Sequence, residues 1–331
     1  MPGNHHMMRR FTFLLTTLIA SLAISSNAWG WLSTGHRIVA DIAWEDLTPT
    51  AKAQVIEVLK AHPRYDKDLL ADLPAGMSDE AVARYAFESA ATWPDMVRSF
   101  ANPMHAAYNH PDWHYIDLPF VIDGQTVPAK HPEGAGPHDI VAALNKNVAD
   151  LKDSRLTTAQ KAIALCWVLH LCGDIHQPLH ACELFSPEFP GGDQGGNAFI
   201  VLKTPPYPDS RSKLHLIWDS LPGDFEDRDI EGYIAEGLRM DPRFSRDNLK
   251  QMLAVTDFMA WANESHDLAV KYAYLDGKLK GANSQMDSDP DRPAPGLPRG
   301  YMENAEEIGN QRLILAGYRT ADLLNSIFNG Q

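Results

Sequence analysis

Residues 158–176 are the most apolar stretch of the chain after residue 30, yet they contain His170 and Asp174. A helix over this stretch is apolar on nearly every face, so it must lie at the centre of a domain and be packed from several sides. Polar groups in such a helix are costly unless something pairs with them. The i, i+4 spacing puts the imidazole and the carboxylate on one face, where both can grip one ion. Pro178 ends or kinks the helix, and His180 follows it in DIHQPLH. His215 and Asp219, in KLHLIWD, repeat the spacing on a second helix. One such pair is an ordinary feature of a helix surface. Two pairs plus His180 point to metal, and imidazole with carboxylate but no thiolate suits catalytic zinc better than structural zinc.

The rest of the chain reads as helix after helix. Apolar spacing predicts helices over 35–47, from Thr48-Pro49 to about 61, over 78–100 with a break near Pro94, and over 138–152. Further helices are predicted over 211–220, 225–239, 245–275 (one long helix or a broken pair) and 301–328. WHYIDLPF, within 101–137, and residues 197–203 read as short extended pieces. Residues 283–299 read as a polar, Pro-rich, solvent-exposed loop. No repeat and no linker divides the chain, so one all-α domain is expected over 31–331.

The first thirty residues read as a signal peptide. Arg9 and Arg10 precede an uncharged apolar run from Phe11 to Ile24, and Ala28 and Gly30 place small residues before Trp31. Cleavage there makes Trp31 the new N-terminus; cleavage after Ala28 is the rival. The protein is expected to be exported, to the periplasm or beyond the cell. The remaining chain carries 27 basic and 43 acidic residues, a net of −16. Such a chain holds no polyanion by a broad basic face and needs a local positive source, which metal ions would supply. Export permits disulfides. Cys166 and Cys172 are about 9 Å apart along one helix, too far to bridge. A Cys172–Cys182 bridge and three free buried thiols both remain open. Asn263-Glu264-Ser265 is a formal glycosylation sequon.

Other single residues say little alone: His36 reads as a core histidine, Asp95 as a helix cap and His114 as a packed ring. Together, W-x4-H at 31–36, the WxD of Trp93 to Asp95, the WHYID of 113–117, HLCGDIHQPLH at 170–180, GGDQGGN at 191–197 and H-xx-WD at 215–219 form a specific set. With these motifs the chain resembles the zinc-dependent nucleases of the fungal single-strand-specific (S1/P1) type and their bacterial and plant relatives, over nearly all of residues 31–331.

The resemblance implies a compact helical domain with a trinuclear zinc cleft. One zinc would take Asp95, His114, His170 and Asp174. A second would take the amino group and carbonyl of Trp31 with His36, sharing Asp174 as a bridge. The third would take His180, His215 and Asp219. It implies a zinc-activated hydroxide attacking phosphorus in line, with the third zinc at the leaving 3′-oxygen, so that P–O3′ cleavage leaves 5′-phosphates. Asp95 and Asp174 are then catalytic through the metal, and Arg98 stabilises transition-state charge. Tyr115 would stack on a base, Asp117 would bind its edge, and Asn197 would touch substrate. RNA and single-stranded DNA are the expected substrates, with duplex DNA and 3′-nucleotides as further candidates; no protein partner is implied, and a monomer is expected. The histidines 62, 105, 110, 131, 138, 176 and 266 match no role and read as surface or supporting residues. A phospholipase C of the same fold is the rival, disfavoured because that branch spaces the Trp and its first His more widely and ends the third site in Glu. A non-catalytic zinc-binding relative is disfavoured by the complete ligand set.

Overall fold

The computed structural model describes residues 31–128, 137–204, 210–221, 223–225, 227–285 and 294–329. The expected signal segment and His131 lie outside them. Among the described residues, eleven α-helices and five short strands follow one another in this order. Helices α1 (Ser33–Asp46), α2 (Pro49–Lys60) and α3 (Asp79–Met96) come first, then a single turn, α4 (His105–Tyr108), and strand β1 (Pro119–Val121). Helices α5 (Ile140–Lys152) and α6 (Thr158–Asp174) precede β2 (Glu183–Phe185), β3 (Phe199–Leu202) and β4 (Arg211–Lys213). Then come α7 (Leu214–Asp219), α8 (Arg228–Met240), α9 (Arg246–Leu253), α10 (Phe258–Leu268), β5 (Ala282–Asn283) and α11 (Tyr301–Phe328). None of the described helices is long and apolar enough to cross a membrane.

Local chemistry starts the helices where the site needs them. Thr157 caps α6 in a reciprocal box with Gln160, Thr48 caps α2 with Pro49 behind it, and Asp139 caps α5. Every residue of α6 from Ala162 to Asp174 is buried, as its uniformly apolar pattern requires. It packs against α3, α5, α2, α11 and α1. One apolar cluster surrounds it with Trp93, Trp113 and Trp167, and a second gathers Trp31, Trp218 and Phe199 between α1, α7 and α11.

Among the described residues, strands occur only as short ties. β1 runs parallel to β2, and flanking bonds from Ile116 N to His180 O (2.8 Å) and Glu183 N to Leu118 O (2.9 Å) join the WHYID segment to the chain after His180. β3 lies between β4 and β5, both antiparallel to it.

Three expectations change, and one open alternative is decided. Proline does not break α3: Pro94 falls in its last turn, so the one main-chain bond its missing N–H gives up lies at the end of the helix. The predicted helix over 211–220 begins as β4, because pairing with β3 captures the main chain of Arg211–Lys213, and only Leu214–Asp219 is helical. The 245–275 segment takes the second of its two readings, a broken pair, since Asp257 caps a new helix by accepting from Ala260 N. The described ends of the 283–299 stretch are not a free loop: Leu202 N bonds Pro295 O, Leu297 N bonds Leu202 O, and Ala294 and Leu297 are buried. The three cysteines are free and buried. Of the sequon, Asn263 is exposed on α10, while Ser265 is buried with its hydroxyl donating to Ile175 O.

Candidate metal centre

Side chains from five elements converge on one carboxylate. Asp174 ends α6 and is fully buried. Its Oδ2 lies 3.0 Å from both His114 Nδ1 and His170 Nε2, and its Oδ1 lies 3.3 Å from His36 Nε2 and 3.9 Å from His180 Nδ1. Asp95, near the end of α3, comes within 3.9 Å of His170 and 4.0 Å of His114. The rings of His36 and His170 stack with centroids 3.9 Å apart. Beside this group, His215 Nε2 lies 3.3 Å from Asp219 Oδ2 and His180 Nε2 lies 3.7 Å from Asp219 Oδ1.

Three sets of possible ligand atoms each fit within 4.8 Å: His36, Asp95 and His170; His114, His170 and Asp174; and His180, His215 and Asp219. The third set is the one the motifs imply. The first two differ in detail from the expected division, because His36 sits beside Asp95 and His170 as well as Asp174, so these residues form one continuous cluster. Trp31 is buried against it and its indole donates to Gly173 O at 3.1 Å.

The surroundings aim the ring nitrogens. His170 Nδ1 faces Ala91 O at 2.8 Å, His180 Nδ1 faces His114 O at 2.6 Å, and His215 Nδ1 faces Gly195 O at 2.5 Å. A carbonyl only accepts, so each Nδ1 carries a proton and each Nε2 is the nitrogen turned to the cluster, where it would give its lone pair to an ion once deprotonated, as metal-binding histidines do. Gly195 holds its carbonyl there at φ +59°, and a Cβ would strike Leu179 O at 2.7 Å. Both ring nitrogens of His36, Nε2 of His180 and Oδ1 of Asp174 are buried and make no hydrogen bond. Buried lone pairs without donors are costly; cations would satisfy them, so this donor set fits metal.

The charge balance agrees. Burial pushes the Asp174 carboxyl up, but the imidazoles of His170, His180 and His36 outweigh it and hold it well below the ordinary carboxylate range. Asp95 is lowered in the same way, against its burial, chiefly by His170. Burial pulls His180 down, yet Asp174 and Asp219 raise it to about 9, whereas burial holds His114 down at about 4. Carboxylates stay ionised in the interior because cationic groups face them.

The cluster opens on a cleft with two arms. The smaller, of 580 Å³, is lined by Arg98, His114, Tyr115, Asp117 and His180; the larger, of 910 Å³, by Arg37, Asp95, Met96, Leu216 and Asp219. Asn197, Lys213 and His215 line both. Arg98 Nη1 reaches Asp95 Oδ1 at 3.3 Å. Tyr115 is 38% exposed, so it is not a core residue. His62 and His176, read on sequence as surface or supporting residues, are both buried: His62 packs edge-on against Trp93, and His176 bonds Cys172 O and Arg319. Sequence reasoning missed Gln177, whose Nε2 donates to Asp219 Oδ1 at 2.6 Å and whose Oε1 accepts from Leu179 N. Its only signal was its place inside DIHQPLH.

A mostly helical domain with three buried His/Asp clusters under one cleft is the architecture of a multinuclear metal-dependent hydrolase. A model of the S1/P1 Nuclease family matches residues 31–329, and the chain belongs to that family; it is an endonuclease by class. Endonuclease 1 of Arabidopsis thaliana is 26% identical over 97% of this chain and 95% of its own length. Endonuclease 2 of the same plant is 25% identical over 98% of each chain, and Nuclease S1 of Aspergillus oryzae 24% identical over 95% of this chain and 97% of its own.

Proposed function

We propose that this chain is a secreted three-zinc nuclease that hydrolyses RNA and single-stranded DNA with little sequence preference, cutting the P–O3′ bond to leave 5′-phosphate ends. The observation that carries the reading is Asp174, one carboxylate within 4 Å of four histidines, in a chain of the S1/P1 nuclease family. Buried imidazole and carboxylate without thiolate suit catalytic zinc.

Asp174 would bridge two ions, with Asp95, His114 and His170 on one side and His36 with the amino end of Trp31 on the other; His180, His215 and Asp219 would hold the third. Bound there, zinc would acidify a water and neutralise charge on the phosphoryl oxygens. Arg98, beside Asp95, would meet the same phosphoryl group. Tyr115 would offer a base its ring face, with Asp117 and Asn197 as polar contacts. Signal removal ahead of Trp31 would supply the terminal amine.

Digestion of RNA and single-stranded DNA by protein starting at Trp31, before and after chelation, tests the reading. Chelator-sensitive cleavage with 5′-phosphate ends is expected. No turnover by zinc-loaded protein, or 3′-phosphate ends, would overturn it. Equal activity in protein with residues left ahead of Trp31 would remove the terminal amine from the metal site.

A further inference from the structure

We propose that the larger arm of the cleft is a second nucleoside subsite, taking the base and sugar on the opposite side of the scissile phosphate from Tyr115. The inference rests on the nuclease reading above and adds to it a place for the other half of the substrate.

A phosphodiester has a nucleoside on each side. With its phosphate at the metal cluster, both need a surface, and the Tyr115 arm accounts for one. The second arm is continuous with the first, since Asn197, Lys213 and His215 line both. Its walls come from residues next in sequence to the candidate ligands. Met96 follows Asp95 and is 36% exposed; Leu216 follows His215 and is 44% exposed. Leu216 is the one exposed residue of α7, and Met96 is the one exposed apolar residue of α3. Two helices whose other apolar side chains are buried or half-buried thus each leave one in the open beside the cluster. Ile200 and Leu32 extend the apolar lining.

A cleft with a largely apolar lining and a few charged groups at its edge is the usual make-up of a small-molecule site. The ligand this arm fits has a flat apolar face and an adjoining anion. The face would lie on Met96 and Leu216. Arg211 and Lys213, side by side on β4, form the cationic wall for a neighbouring phosphate. Arg37 also lines the arm, but its guanidinium is engaged by Glu231 and belongs to the wall rather than to the ligand. Aliphatic side chains do not read base edges, so this contact adds affinity without sequence preference.

The test uses zinc-loaded protein. The double substitution Met96→Ser/Leu216→Ser should raise KM for dinucleotides and short single strands about tenfold, with kcat nearly kept. Leu216→Met should restore most of the loss. As competitive inhibitors, nucleoside 3′- and 5′-monophosphates should separate: one loses affinity in the double variant and the other, seated against Tyr115, keeps it. Metal content and Tm should match wild type, and Tyr233→Ala, an exposed aromatic outside the cleft, should change nothing. Unchanged KM would overturn the subsite, and so would equal loss for both inhibitors, which signals damage to the metal centre. An effect on phosphatidylcholine vesicles that spares dinucleotides would assign the arm to an acyl chain and overturn it. A wild type inactive on every nucleic acid overturns the nuclease reading and the subsite together; an active wild type with an indifferent double variant overturns the subsite alone.

Discussion

Arg312 donates from Nε to the main-chain carbonyl of His176 at 3.1 Å, and so holds from behind the turn that joins Asp174 to His180. The rest of its fork reaches Glu264 (3.0 Å) and Ser265 Oγ (2.9 Å), and Ser265 in turn donates to Ile175 O. Arg319 also reaches Glu264 and donates to His176 Nε2 at 2.9 Å. That nitrogen must therefore be the acceptor, and Nδ1 carries the proton it gives to Cys172 O at 2.8 Å. Burial, then the two guanidinium groups, keep this imidazole far below its ordinary pKa. Helices α10 and α11 thus fix the chain between two candidate metal sets through groups that never touch the cleft.

Replacing Arg312 by Met should leave Glu264 with one arginine and the His176 carbonyl without its donor. The expected cost is about 3–5 kcal/mol of stability, with weaker metal retention by the Asp174 and His180 sets. Arg312→Lys keeps the charge but not the planar fork, and should fall between the two. Thermal unfolding and metal content after dialysis check this. Wild-type values for the Met variant would show that the network is dispensable.

Gly173 is fixed by a ligand rather than by a turn. A Cβ there would stand 2.8 Å from His36 Nδ1 and 3.2 Å from its Cε1. Gly173→Ala should improve helix propensity by up to about 1 kcal/mol while pushing His36 off its stack on His170. Activity is expected to drop at least about tenfold, and metal content by up to one ion per chain, with Tm changed far less. Full metal content with full activity would mean that His36 can shift without consequence.

What the sequence made legible follows from distance along the chain. His170 with Asp174, and His215 with Asp219, lie four apart on helices whose apolar pattern is strong, so spacing alone placed each pair on one face. His36, Asp95 and His114 carry no such local signal: His114 meets Asp174 across 60 residues, and only the family motifs gathered them. Gln177, Arg312 and Arg319 stayed hidden because their partners are set by packing of distant helices. The strand β4 was hidden because its pairing with β3, not its own composition, decides its conformation.

Tyr115 is half in the cleft wall and half in water, and its hydroxyl lies 3.4 Å from Asp112 Oδ1. A ring placed to stack on a base should matter to binding more than to turnover. Tyr115→Ala is expected to raise KM for short substrates roughly tenfold or more, at about 1–3 kcal/mol per stacked base. The kcat should stay within a few-fold and the Tm nearly constant. Steady-state kinetics on di- and trinucleotides measure it; an unchanged KM would make the ring part of the wall.

Asp193, in the GGDQGGN loop, is fully buried, with Oδ1 accepting from Leu184 N at 2.9 Å and Oδ2 from the Tyr274 hydroxyl at 2.6 Å. Burial pushes its carboxyl from 3.8 up to about 7, against the pull of these donors. Between those limits the folded chain holds a proton that the unfolded chain has released. Its contribution is therefore most favourable at low pH, declines as pH rises through the window, and is constant above it. Asp193→Asn cannot ionise and loses that slope. Comparing the two proteins at each pH cancels the protonation of the metal-site histidines, which both share. Relative to the Asn variant, wild type should lose on the order of 1 kcal/mol per pH unit from about pH 4 to about pH 7 and nothing further above. Unfolding measured across pH 4.5–8.5 decides it: a constant gap would mean that the carboxyl is ionised throughout, stabilised by its donors rather than opposed by its burial.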